Sequence, residues 1–280
     1  LGELKKKADK APDDYAQFWD NFGTVLKEGI YEDIANRAAL LALARFRTTA
    51  GDELVSLDGY VERMQEGQDA IYTITGEDAK VLAQSPQLEG FRARGIEVLL
   101  LTDPIDEFWM PAVGSYKDKP LKSATQGAPD LKSLDGDDKD KDKGADDAGC
   151  ERLIGLIRAT LGDAVKDVRP SDRLTDSAVC LVADDGDMDM HMERMLNRHQ
   201  PGGAGATPRI LEINPRHSLI RRLGKLADKS KGEDKAADDR IREAAELLFD
   251  QARIIEGEPI ANPADFSRRL AGMMERGLGT

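Results

Sequence analysis

The stretch LKSLDGDDKDKDKGADDA, from Leu131 to Ala148, holds seven Asp, four Lys and almost nothing apolar. A segment of that composition cannot bury enough surface to offset its own chain entropy. It therefore divides the 280 residues into two bodies, each of ordinary domain size at roughly 100–200 residues per domain. The expected division is a first domain over 1–118, a charged linker over 119–148 and a second domain over 149–280. No further function is read into the linker.

Each side carries enough apolar sequence for a core. Aliphatic residues dominate, since hydrophobic residues make up 40% of the chain and aromatics only 5%. Ahead of the linker, Tyr15, Phe18, Trp19, Phe22, Val25 and Leu26 recur at helical spacing over Asp13 to Leu26, and the pattern predicts one broad aromatic helix face. Helices are expected over Asp33 to Phe46, from a Ser56 cap to Met64, and over Glu77 to Gln84 and Gln87 to Arg94, broken at Pro86. AIYTIT (Ala70 to Thr75) and IEVLLL (Ile96 to Leu101) read as buried strands. Helices alternating with such strands imply a small α/β/α sandwich with a parallel pairing.

Behind the linker the spacing predicts a helix over Glu151 to Leu161, strands over Val165 to Arg169 and Ala178 to Val182, and a helix over Asp187 to Arg198. The loop QPGGAGATP then leads to a third strand, Arg209 to Ile213. Three helices follow: Pro215 to Leu226, Asp234 to Glu256 and Pro263 to Glu275. Ile241, Ala245, Leu248, Ala252 and Ile255 step by four and three, the spacing of a helix packed along a seam. Asn262 caps the last helix, with Pro263 in its first turn and Phe266, Leu270 and Met273 in phase. A seam does not say whose helix fills it, so a hairpin within one chain and half of a four-helix bundle both remain open. The fold class is α/β (α+β): a sandwich subdomain, then an α+β domain ending in helices.

The formal charge of −13 opposes binding to nucleic acid or anionic membranes, which calls for basic surface. No apolar run approaches the roughly 20 residues that span a bilayer, and no secretory signal follows the opening lysines. Cys150 and Cys180 make no CxxC pair, and a reducing, cytoplasmic setting is expected. No glycine-rich phosphate loop, HExxH or GxSxG string occurs, and His191, His199 and His217 lack ligand-like spacing. Asp103, Asp106 and Glu107 follow the IEVLLL strand, where ligands of α/β sheets gather, so a magnesium-dependent hydrolase is one function to test. Thr-Asp-Pro also makes turns and helix caps. Two features suggest binding instead: the apolar cluster Phe108 to Pro111, and the helix DMDMHMERML, in which Met188, Met192, Met195 and Leu196 share one face. Plain core packing would explain either.

The strings GIYED, NRAAL, YVERM, YTITGE and LTDPIDE, then RILEINPRHSLIRRL and NPADFSRRL, run in order from about Asp13 to Leu270. Together they resemble the ninety-kilodalton heat-shock (Hsp90) chaperone family, and the chain is similar to its bacterial branch. The GLGT ending lacks the acidic peptide with which eukaryotic relatives recruit helical-repeat co-chaperones. The resemblance implies an ATP-dependent homodimeric chaperone for unfolded or partly folded clients. It further implies that this chain begins inside the middle domain, with the nucleotide domain, its ATP and magnesium, and the arginine that contacts the γ-phosphate lying before residue 1. On that expectation the chain alone is not an enzyme. By the same resemblance Glu107, Phe108 and Trp109 fall at the client-contacting position of the middle domain. The Met helix then projects into the dimer cleft, and the seam of Ile241, Ala245, Leu248, Ala252 and Ile255, with Phe266 and Leu270, becomes intermolecular. A purely structural dimerisation scaffold is the remaining alternative.

Overall fold

Strands that are apolar on both sides require cover on both sides, and the computed structural model of this chain provides it. The structure describes residues 1–127, 131, 147–199, 207–230 and 234–279; most of the Asp/Lys stretch and most of the loop QPGGAGATP lie outside them. The chain divides into two units, one comprising Leu1–Leu134 with Met188–Pro201 and the other Asp135–Asp187 with Gly202–Thr280.

The first unit begins with α1 (Gly2–Lys10), α2 (Pro12–Glu32) and α3 (Arg37–Leu43), followed by β1 (Phe46–Thr48), β2 (Gly51–Val55) and α4 (Leu57–Glu62). Then come β3 (Ile71–Thr75), α5 (Ala79–Leu82), α6 (Glu89–Ala93), β4 (Val98–Leu101), α7 (Asp106–Val113) and the hairpin β5 (Ser115–Tyr116) and β6 (Lys119–Ser123). The six strands form one sheet in the order β2-β1-β4-β3-β6-β5. β3 is parallel to both β4 and β6, whereas β1 runs antiparallel to β4 and β2. The expected parallel pairing is therefore present at the centre of a mixed sheet.

Side chains alternate along a strand, and the two faces divide accordingly. Ile71, Leu99 and Leu101 join Tyr15, Trp19, Leu40, Phe46, Tyr60 and Trp109 in one cluster. Tyr72, Ile74, Val98 and Leu100 join Leu88 and Phe91 in another. Each such side chain contributes about 1.5–3 kcal/mol on full burial. The Ser56 Oγ caps α4 as the sequence predicts, accepting from Gly59 N, and the Asp78 carboxylate caps α5, accepting from Lys80 N and Val81 N. Inside α2, Gly23 is required by a neighbour, because a Cβ there would stand 2.7 Å from the Trp19 indole.

The second unit holds α8 (Asp147–Leu161), β7 (Val165–Pro170), β8 (Val179–Val182), β9 (Arg209–Ile213), α10 (Ser218–Ser230), α11 (Lys235–Ile255) and α12 (Pro263–Leu278); the first unit's helix Met190–His199 is α9 in chain order. Its sheet has the order β7-β9-β8, with β9 parallel to β7 and antiparallel to β8. Asp234 caps α11 and Asn262 caps α12, both through side-chain oxygens. The chain is thus α+β throughout.

The seam on α11 departs from the expectation. Ile241, Ala245, Leu248 and Ala252 are each 1–3% exposed within a single chain, and α11 packs on α8, α10 and β8. The expectation that these four residues meet a second subunit is corrected: α8 and α10 of the same chain fill the seam. A 4,3 spacing records burial of a stripe without recording its partner. The apolar side chains left outside are Ile255 at 41%, Leu270 at 41% and Met274 at 58%, together with Ile254 and Leu278. α12 buries none of its residues.

Candidate functional site

The segment after β4 folds back as α7. Asp106 and Glu107 open it, and Ile105 N-terminally supplies the carbonyl that starts the helix, accepting from Trp109 N at 3.1 Å. Pro111 does not prevent the helix, which ends at Gly114 with φ of 68°. This stretch is expected from sequence to be loop or short helix, and eight residues of helix are present.

Lys27 on α2 reaches the first two carboxylates. Its Nζ lies 2.7 Å from Asp103 Oδ2 and 2.9 Å from Asp106 Oδ2, and Thr24 Oγ1 donates to Asp103 Oδ1 at 2.9 Å. Trp109 Nε1 donates to Asp106 Oδ1 at 2.6 Å. Burial pushes the Asp106 carboxyl above its ordinary value against the pull of the Lys27 charge. Burial also acts upward on Asp103, but the Lys27 charge and the hydrogen bonds from Lys27 and Thr24 outweigh it and leave that carboxyl below the ordinary range. The third carboxylate, Glu107, meets His191 Nδ1 at 2.7 Å. The magnesium-hydrolase alternative is therefore corrected: an ammonium already occupies the space between Asp103 and Asp106, and Glu107 faces an imidazole. A cation placed there would meet Lys27 at close range.

The aromatic pair on α7 divides. Trp109 is fully buried and packs its ring against Phe46 at 5.7 Å between centroids, so its expected client contact is corrected to a core role. Glu107, 4% exposed, likewise faces inward. Phe108 keeps part of its surface open and meets Tyr31 edge-on at 6.1 Å. Tyr31, at 45%, and Ile34, at 74%, extend the apolar surface beside it.

α9 lies in the same unit. Met190 is buried at 2%, whereas Leu196 is 40% exposed and Met188, just ahead of the helix, is 48% exposed. Met192 and Met195 are half-buried. At about 100° per residue, Met192, Met195 and Leu196 share one sector of the helix, and Met190, His191, Arg194 and Arg198 share another. The second sector makes the contacts: His191 with Glu107, and Arg198 with Glu77 in an ion pair. Sequence reasoning finds the Met stripe but misses the residue before the helix. The Asp189 carboxylate accepts from Ser123 Oγ at 2.7 Å, Thr125 Oγ1 at 2.7 Å, Thr75 Oγ1 at 3.4 Å and its own helix at His191 N, 2.9 Å.

A second buried charge cluster holds the other unit's sheet. Glu212 on β9, 3% exposed, takes Arg173 Nε at 3.0 Å, Arg169 Nη2 at 2.8 Å and Ser171 Oγ at 2.7 Å. These contacts tie the end of β7 and the segment after it to β9. Among the described residues, no group of three or more His, Cys, Asp or Glu is placed to hold a metal ion, and no helix is long and apolar enough to cross a membrane.

With this geometry in view, comparison with known proteins is decisive for the family. The family model described as "Hsp90 protein" matches residues 2–280. The "Chaperone protein HtpG" of Paramagnetospirillum magneticum is 55% identical over 99% of this chain and 44% of its own length. That of Roseobacter denitrificans is 51% identical, and that of Rhodospirillum rubrum 50%, with the same coverage of each chain. The chain thus spans less than half the length of these curated relatives. Two expectations are corrected by this match. The chain is not to be set outside the family's enzymatic machinery, nor are ATP and magnesium to be assigned wholly to a domain before residue 1. Both exclusions rested on where the chain begins, and the match to the Hsp90 family model takes in residues 2–280.

Proposed function

The chain belongs to the Hsp90 family, and from that premise we propose that it forms part of a homodimeric molecular chaperone that holds unfolded or partly folded proteins on an apolar surface. The surface comprises Met188, Met192, Met195 and Leu196 around α9, with Phe108 on α7. The observation that carries this reading is the division of α9: its polar sector is engaged by the first unit, while Leu196 and Met188 keep 40% and 48% of their surface open. Unbranched, polarizable methionines can repack against varied apolar partners, which suits a binder of many sequences.

Dimerisation is assigned to α12 and the end of α11, through Ile255, Phe266 and Leu270 together with Ile254 and Met274. Ile254 and Ile255 at the end of α11 and Leu270 and Met274 on α12 are exposed, Phe266 is half-buried, and α12 has no buried residue in its own chain, which supports a second copy as the covering surface. The two units correspond, on this reading, to the distal part of a middle domain and a C-terminal dimerisation domain. The relatives' printed name supports chaperone function, and the proposal includes stress-linked protein folding in the cytoplasm.

The test is the double variant Met192→Ser/Met195→Ser. It is expected to keep the fold and lose most of its suppression of aggregation of a heat-denatured test protein. Undiminished suppression refutes the stripe and leaves the scaffold reading.

A further inference from the structure

α9 has ten residues, short of the roughly 12–15 at which an isolated helix becomes even marginally stable in water. Its order must therefore come from what it touches. Two contacts stand out. Asp189, immediately ahead of the helix, gathers three hydroxyls from two places far from it in sequence: Thr75 at the end of β3, and Ser123 and Thr125 at and just beyond the end of β6. Two residues on, His191 meets Glu107 at 2.7 Å, with side chains 17% and 3% exposed. Arg198 with Glu77 completes the row at the other end of the helix.

The docked sector is centred roughly 140° around the helix from Met192, Met195 and Leu196. The contacts therefore turn the stripe outward. We propose that Asp189, with the Glu107–His191 pair, is a clasp that orders α9 and presents its apolar stripe, so that these are positioning residues for polypeptide binding. The proposal deepens the reading above and rests on it. Glu107 then acts on clients through His191 and the helix rather than by touching them. Pre-ordering matters because a surface that is already in its bound form does not spend binding free energy on its own ordering.

The experiment compares Asp189→Ala, Asp189→Ser, Met192→Ser/Met195→Ser and the combination of Asp189→Ala with the double variant. The readouts are amide exchange across Met190 to Arg198 and affinity for reduced, carboxymethylated lactalbumin, a permanently unfolded polypeptide. Asp189→Ala is expected to speed exchange in α9 by at least about tenfold, as loss of a cap and two hydrogen bonds implies, and to weaken polypeptide binding several-fold. Asp189→Ser keeps a capping oxygen but cannot span to Ser123 and Thr125, so it is expected to behave like Asp189→Ala. In the Met192→Ser/Met195→Ser background the Asp189 change is expected to add nothing, since both act through one surface.

Unchanged exchange in Asp189→Ala overturns the clasp, as does full recovery by Asp189→Ser, which would leave only a helix cap. Faster exchange with equal or tighter binding overturns the presenting role. If Met192→Ser/Met195→Ser binds the polypeptide as well as the parent does, the stripe reading falls. Exchange in Asp189→Ala then decides the clasp separately.

Discussion

Leu248 tests the filling of the α11 seam by helices of its own chain. The side chain is 3% exposed within one chain, in a helix packed on α8, α10 and β8. Leu248→Ala removes buried methyl groups and opens a cavity among helices that cannot fully close on it, at a cost of roughly 2–5 kcal/mol. For a unit of about 130 residues, each kcal/mol lowers the melting temperature by roughly 4 °C. The expected change is thus a drop of about 8–20 °C in the melting transition, followed by far-UV circular dichroism, with the solution mass by light scattering still that of the proposed dimer at low temperature. Met274→Asp is the counterpart. Its side chain is 58% exposed, so the charge opens no cavity; the dimer mass is expected to fall to that of one 30.7 kDa chain while the folded spectrum persists. The reasoning is refuted if Leu248→Ala is monomeric and melts within about 2 °C of the parent.

Two further outcomes follow from the charged side chains. Lys27→Ala leaves Asp106 fully buried without its cation and is expected to destabilise the first unit by about 3–5 kcal/mol. The loss should be smaller at pH 5 than at pH 7 in urea unfolding, because a buried, uncompensated carboxylate can take up a proton; an equal loss at both would contradict it. Asp58 gives the opposite sign. Hydrogen bonds from Lys117 and Tyr116 hold its carboxyl below the ordinary value, so the stability it contributes is present above about pH 4 and lost as pH falls through its depressed value. Asp58→Asn should therefore be less stable than the parent at neutral pH, with the gap narrowing as pH falls below about 4, as measured by melting temperature; a constant gap across that range would refute the assignment.

The elements readable in the sequence are those whose physics is local. IYTIT and VLLL declare buried strands because neither carries a charged residue and β-branched, aromatic or leucine side chains fill them, and Ser56, Asp234 and Asn262 announce helix starts through a single side-chain oxygen. β1 and β2 are not readable, since Phe46 stands in phase with the apolar residues of α3 and Gly51–Val55 carries a glycine and two charged residues on an edge strand. α7 is hidden by Pro111 and by the turn chemistry of Thr-Asp-Pro. Of the site, the Met stripe is legible as spacing. The Asp189 contacts are not, because Thr75, Ser123 and Thr125 lie 64 to 114 positions away and only the folded sheet brings their hydroxyls together. The same limit governs α11: periodicity tells that a stripe is covered, whereas tertiary packing decides by what.

The division of the chain also bears on synthesis at the ribosome. The first unit draws on Leu1–Leu134 and again on Met188–Pro201, so a nascent chain that has been released as far as Leu134 can build the six-stranded sheet but not complete the unit. At roughly 5–20 residues per second, several seconds pass before Asp189 emerges. Through that interval the hydroxyls of Thr75, Ser123 and Thr125 and the buried carboxylate of Glu107 await their partners. A growing chain thus carries an unfinished edge on its first unit while the second is being translated, and arrest of translation between residues 134 and 188 would yield a sheet without α9.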